Sequence, residues 1–159
     1  MSKPRIYLDT SVISAHFDLQ KPVRQLVTQK WIENEAKSYE LYASELVVQE
    51  VNNNTHPELR DKMARLLVLL SPIVLDINEE VLKLAATYRT RILPREVRNT
   101  IHIAAASHSR LDAIVSWNFR HIVNLKTIKA IHDSNQAVGL PSIQILTLEH
   151  LGGARYGTL

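Results

Sequence analysis

Five short apolar runs, each followed by residues at helical spacing, constrain this chain more than any other feature. The runs are Arg5–Leu8, Glu40–Ala43, Pro72–Ile77, Asp112–Ser116 and Ser142–Leu146. Strands separated by whole helices cannot close as hairpins; they call for right-handed crossovers and a parallel sheet covered on both faces. The expected fold class is therefore α/β, a three-layer α/β/α sandwich on a parallel sheet of about five strands. The run 112–116 is almost wholly apolar, as a strand buried on both faces should be.

The helical stretches fall between the runs. Val12–Phe17 is short, and a longer one opens at Pro22, where a first turn tolerates proline, and carries Val23, Leu26, Val27, Trp31 and Ile32. Ser44 caps Glu45–Asn52, and Pro57–Leu70 follows. Asn78 caps Glu79–Arg91, and Leu93-Pro94 breaks the chain before a helix over Arg95–Ser109. Phe119–Ile122 and Leu125–Ser134 also read as helical, Gly139 and Pro141 as a turn, and Thr147 as the cap of a last turn at Leu148–Leu151.

The chain's 159 residues and 45% hydrophobic content suit one domain, residues 1–151, with 152–159 as a flexible tail. The absence of cysteine excludes disulfides, thiolate metal sites and a cysteine nucleophile. No signal-like hydrophobic run and no stretch of membrane-spanning length occurs, so the expectation is a soluble cytoplasmic protein with no membrane partner. The net charge of +3 is mild, but Arg89, Arg91, Arg95 and Arg98 fall together, followed by Arg110, Arg120 and Lys126. Such a set serves equally as nucleic-acid contacts or as solvated helix faces.

Ligands of open α/β sheets bind outside the carboxyl ends of the strands. Asp9 ends the first run and is followed by Thr10 and Ser11; it is placed either to cap the next turn or to face that crevice. Glu50 lies on the helix after the second run among Leu46, Val47, Val48 and Val51, where a buried carboxylate needs a partner. An arginine or a divalent cation would serve. Asn99 precedes the fourth run on its helix, and Asn118 follows it. Two carboxylates with hydroxyl or amide oxygens suit Mg²⁺, which prefers oxygen ligands and suits phosphodiester hydrolysis. His102 and His108 lack the spacing of a zinc pair, which leaves His102 as a core histidine or one supporting the site from behind. No glycine-rich phosphate loop follows any run, which argues against a nucleotide-binding enzyme.

Tyr7-Leu8-Asp9-Thr10-Ser11, Ser44 through Glu50, Ile101-His102-Ile103-Ala104-Ala105-Ala106 and Val115-Ser116-Trp117-Asn118-Phe119 resemble, in order and spacing, the successive motifs of PIN domains, above all VapC-type toxins and PilT N-terminus-like proteins. The resemblance runs from about Lys3 to Thr147. It implies a Mg²⁺- or Mn²⁺-dependent ribonuclease whose first two acids are Asp9 and Glu50 and whose small hydroxyl is Thr10 or Ser11. It further implies a homodimer and an antitoxin partner. The third and fourth acidic positions of the pattern are Asn99 and Asn118 here. An amide oxygen can ligate a cation but brings no charge and cannot act as a general base.

Glu96, three residues before Asn99 on the expected helix, is a candidate replacement acid or a first-turn acid favoured by the helix dipole. Arg95, Arg98 and Arg120 are candidate RNA contacts. Two functions follow. One is a metal-dependent ribonuclease using Asp9, Glu50, Asn99 and Asn118, with Thr10, Ser11, His102 and Glu96 supporting them. The other is a degenerate PIN domain that binds RNA or protein without cutting.

Overall fold

The computed structural model describes residues 2–91, 94–119 and 123–151. In chain order its elements are β1 (Arg5–Leu8), α1 (Thr10–Ala15), α2 (Pro22–Asn34), a 3-10 turn (Ala36–Ser38), β2 (Glu40–Ser44), α3 (Glu45–Asn52), α4 (Pro57–Leu70), β3 (Ile73–Leu75), α5 (Glu79–Arg91), α6 (Val97–His108), β4 (Ala113–Val115), α7 (Leu125–Ala137) and β5 (Gln144–Leu146). A last helical turn occupies 148–151. The sheet is parallel throughout, in the order β3-β2-β1-β4-β5. From β1 the chain winds outward through β2 and β3, then returns to place β4 on the other side of β1. The order therefore reverses between β1 and β4, and a crevice opens beyond their carboxyl ends.

Strand side chains alternate between the two faces. Tyr7, Ile114 and Ile145 enter the larger core, with Val47 and Val51 of α3, Met63 of α4, Leu84 and Tyr88 of α5, Ile103 of α6 and Ile131 of α7. Ile6, Leu8, Ala113 and Val115 enter the smaller one, against Val12, Trp31, Ala36 and Leu148. Each fully buried Ile, Leu, Val or Met side chain among these contributes roughly 1.5–3 kcal/mol. The hydroxyl of Tyr88 donates to Asn135 Oδ1, and the Asn135 amide donates to Ser107 Oγ at 3.0 Å. That satisfied buried network joins α5, α6 and α7, and so fixes the helix that carries Asn99 and His102.

The expected helices at Pro57–Leu70 and Glu79–Arg91 have those bounds in the structure. Ser71, at φ 47°, ends α4 in a left-handed cap just before Pro72, and Asn78 Oδ1 accepts the Val81 amide at 3.0 Å to open α5. Other bounds differ. Helix α1 begins at Thr10 rather than Val12, because Asp9 caps it through the Ser11 amide. Strand β3 is shorter than 72–77: Pro72 offers no N–H, and the Ile77 amide donates to Glu45 Oε2 instead of to the sheet. Helix α6 begins at Val97, not Arg95, because Pro94 and Arg95 form a turn and Glu96 has non-helical backbone at φ −95°, ψ 59°. Glu96 therefore precedes the helix and does not share its face with Asn99. Most of the expected helix at Phe119–Ile122, Arg120 included, and the tail 152–159 lie outside the described residues. Among the described residues no helix is long and apolar enough to cross a membrane.

Candidate metal centre

The crevice at the β1/β4 reversal is a cleft of about 360 Å³ lined by Asp9, Thr10, Glu50, Arg95, Glu96, Val97, Arg98, Asn99, His102 and Asn118. Separate elements supply its polar groups. Asp9 sits at the end of β1, Glu50 in the second turn of α3, Asn99 and His102 on α6, and Asn118 just after β4.

Asp9 is 2% exposed. Its Oδ2 accepts three hydrogen bonds: from the Ser11 hydroxyl at 2.6 Å, the Ser116 hydroxyl at 2.8 Å and the Ser11 amide at 3.2 Å. The same two hydroxyls hold the loop after β4. Trp117 N donates to Ser11 Oγ at 2.9 Å, and Asn118 N donates to Ser116 Oγ at 2.9 Å. Asp9 thus caps α1 with one oxygen and turns the other, Oδ1, toward His102 Nε2 at 3.2 Å. Both sequence readings of Asp9, cap and crevice acid, describe one side chain.

Glu50 Oε1 accepts from Thr10 Oγ1 at 2.7 Å and lies 2.7 Å from His102 Nε2, while Oε2 is 3.6 Å from the exposed Arg98 guanidinium. Burial pushes its carboxyl up. The hydrogen bond and electrostatic attraction from His102, the Thr10 hydroxyl and Arg98 together outweigh burial and hold it below the usual carboxylate range. Glu50 therefore carries its charge at neutral pH. The arginine partner considered from sequence is present, but only at the rim.

His102 is 1% exposed. Its Nδ1 lies 2.6 Å from the Tyr7 hydroxyl, which lies 2.7 Å from Ser44 Oγ. Burial pushes the Tyr7 phenol well above its ordinary value, an effect that the Ser44 hydrogen bond reduces and the charges of Asp9 and Glu50 enhance. Tyr7 thus keeps its proton at neutral pH. Ligand-type atoms of Asp9, Glu50 and His102 all lie within 4.8 Å of one another.

The remaining residues expected at the site divide. Thr10 lines the cleft and binds Glu50, whereas Ser11 acts from behind Asp9. Asn99 lines the cleft, but its amide nitrogen donates to Glu96 Oε2 at 2.7 Å. Asn118 lines it too, held through its backbone. Arg95 and Arg98 form an exposed basic rim; Arg120 lies outside the described residues. Arg89 instead donates to Thr100 Oγ1 at 3.0 Å. The Arg110 carbonyl meets Arg5 near the opposite edge of the sheet, so the basic stretch is not one surface. Tyr7 and Ser116 were not singled out from the sequence. Their signal was a polar group ending or interrupting an apolar strand beside the topological reversal.

A model of the PIN domain family matches residues 6–126. No curated protein sequence matches significantly. Among solved structures, VapC20 of Mycobacterium tuberculosis, a toxin that cleaves the sarcin-ricin loop, is similar with TM-score 0.57 at 13% identity, over 87% of this chain and 98% of its own. FitAB bound to an IR36 DNA fragment is similar with TM-score 0.59 at 16% identity, over 90% and 94%. VapBC2 from Rickettsia felis, bound to a DNA fragment from its promoter, gives 0.53 at 13%, over 90% and 98%. At such identities the likeness is one of fold. The family match runs from β1 into the first turn of α7 and so takes in every element that lines the acidic cleft: the chain belongs to the PIN domain family.

Proposed function

We propose that the protein is a metal-dependent ribonuclease and the toxin of a toxin–antitoxin pair. The observation that carries this reading is the buried Asp9 set against Glu50 at the β1/β4 reversal, their ligand atoms within 4.8 Å of each other and of His102. Two like charges so close in a partly desolvated site repel, and a divalent cation is the natural neutraliser. The donor set fits Mg²⁺ or Mn²⁺: two carboxylates, the Thr10 hydroxyl and the amide oxygens of Asn99 and Asn118 are hard oxygen ligands. Asp9 and Glu50 would hold the ion. When bound, it supplies an activated water and offsets charge on the scissile phosphate.

The chain's own groups have defined tasks in this reading. Ser11 and Ser116 hold the Asp9 carboxylate in one orientation, and Thr10 does the same for Glu50. Arg95 and Arg98 would take RNA phosphates at the rim, where contacts position the backbone without reading sequence. The FitAB and VapBC2 complexes support an antitoxin partner. A homodimer in the cytoplasm completes the proposal.

One observation favours the alternative, a PIN domain that binds RNA or protein without cutting. Asn99 and Asn118 add no charge, and His102 and Arg98 already contact the acids. Incubation with structured RNAs and Mg²⁺ or Mn²⁺ decides between them. The nuclease reading expects cleavage that EDTA and Asp9→Asn both abolish. RNA binding that persists in EDTA without cleavage would establish the alternative.

A further inference from the structure

We propose that Ser44 and Tyr7 fix His102 as a hydrogen-bond donor to the acidic pair, so that His102 is a positioning residue and not a third metal ligand. The direction follows from counting protons along the chain of contacts. Ser44 Oγ caps α3 by accepting the Leu46 amide at 3.2 Å, and among the described residues its one other side-chain hydrogen-bond partner is the Tyr7 hydroxyl at 2.7 Å. Ser44 is 0% exposed, so its own proton goes to Tyr7. The Tyr7 proton then goes to His102 Nδ1 at 2.6 Å. An imidazole that accepts at Nδ1 carries its proton at Nε2, and Nε2 faces Glu50 Oε1 at 2.7 Å and Asp9 Oδ1 at 3.2 Å.

The opposite neutral tautomer would aim a bare nitrogen lone pair at two carboxylate oxygens, which is repulsive. A histidine that ligates a cation must offer a bare nitrogen. Here both nitrogens are engaged: one accepts from Tyr7 and the other donates to Glu50. Instead the Nε2–H draws the Glu50 and Asp9 carboxylates toward one point before any cation arrives. Asp9 and Glu50 would then hold a cation through oxygens alone and not as an Asp-Glu-His triad, a hard site that would favour Mg²⁺ or Mn²⁺ over zinc. The same arrangement explains why a polar Tyr7 lies inside β1 among Ile6 and Leu8.

For cation binding this role rests on the nuclease reading; the tautomer itself does not. The test is long-range ¹H–¹⁵N correlation on ¹⁵N-histidine protein, first in EDTA and then with Mg²⁺. In EDTA, His102 is expected as the Nε2–H form with a bare, hydrogen-bonded Nδ1. Tyr7→Phe, which keeps the buried ring, should move the Nδ1 resonance to that of a nitrogen without a donor while Nε2 stays protonated. Ser44→Ala should move it in the same sense, and Ser44→Thr should restore the wild-type spectrum. An Nδ1–H or doubly protonated ring in the wild type overturns the proposal. So does an Nδ1 resonance unmoved in Tyr7→Phe, or loss of the Nε2 proton on saturation with Mg²⁺. If Tyr7→Phe does not fold, the wild-type spectrum still decides. A chain that shows the Nε2–H form but takes up no Mg²⁺ upholds the tautomer and counts against the nuclease.

Discussion

Ser116→Ala isolates what holds Asp9 in place. Ser116 is 0% exposed; its hydroxyl donates to Asp9 Oδ2 at 2.8 Å and accepts Asn118 N at 2.9 Å. Hydrogen bonds to charged groups contribute about 1.5–3 kcal/mol, and a buried polar group left unmet costs about 1–3 kcal/mol. Asn118 is exposed, so water can take over its amide and discount the second figure. Asp9 keeps two bonds from Ser11, and the net loss is expected at about 2–3 kcal/mol. For a chain of this size that corresponds to a fall in Tm of roughly 5–10 °C. Ser14→Ala is the control: among the described residues that hydroxyl bonds only the Ser11 carbonyl, at 3.2 Å, and its loss should stay within about 0.5 kcal/mol. Denaturant unfolding of both variants in EDTA reads the difference. A Ser116→Ala cost equal to that of Ser14→Ala would refute the claim that the serine pair fixes the Asp9 carboxylate.

Three further outcomes are expected. Glu50 has a lowered carboxyl pKa in the folded state, set by His102, Thr10 and Arg98 against the opposing effect of burial. Its contribution is therefore complete above the ordinary carboxylate pKa and lost as pH falls through the lowered folded value. In EDTA, the wild type should exceed Glu50→Gln in stability most at neutral pH and lose that advantage in acid; a difference that grew on acidification would contradict the assignment. Asn99→Asp adds a charge beside the acidic pair and should tighten Mg²⁺ binding by about tenfold in calorimetry, the effect of roughly 1.4 kcal/mol; an unchanged affinity would remove Asn99 from the site. Replacing both Arg95 and Arg98 with alanine should weaken RNA binding uniformly across sequences and lower the salt slope by about one or more, whereas an unaltered slope would mean that the rim does not meet phosphate.

The sheet was legible because its evidence is local. Each apolar run and each helical spacing can be read within about a dozen residues, and the caps at Ser44 and Asn78 mark boundaries directly. Strand order is not local, and neither is the crevice that the β1/β4 reversal creates. Asp9 and Glu50 could be picked out as acids at the right edge, but their approach through His102 depends on packing α6 against β1. Tyr7 and His102 are 95 residues apart and Asp9 and Ser116 are 107 apart, so no sequence window holds either pair. Glu96 shows the reverse failure. Helical periodicity put it on the face of Asn99, whereas the turn at Pro94 and Arg95 leaves it before the helix, reaching Asn99 by a side-chain bond instead.

Calorimetric titration of Mg²⁺ and Mn²⁺ into the wild type and Asp9→Ala decides whether Asp9 and Glu50 form a cation site. Saturable binding in the wild type that vanishes in Asp9→Ala is the result expected. Heats that are absent at millimolar metal, or that are the same in both proteins, would contradict it and leave the domain to be studied as a binding partner.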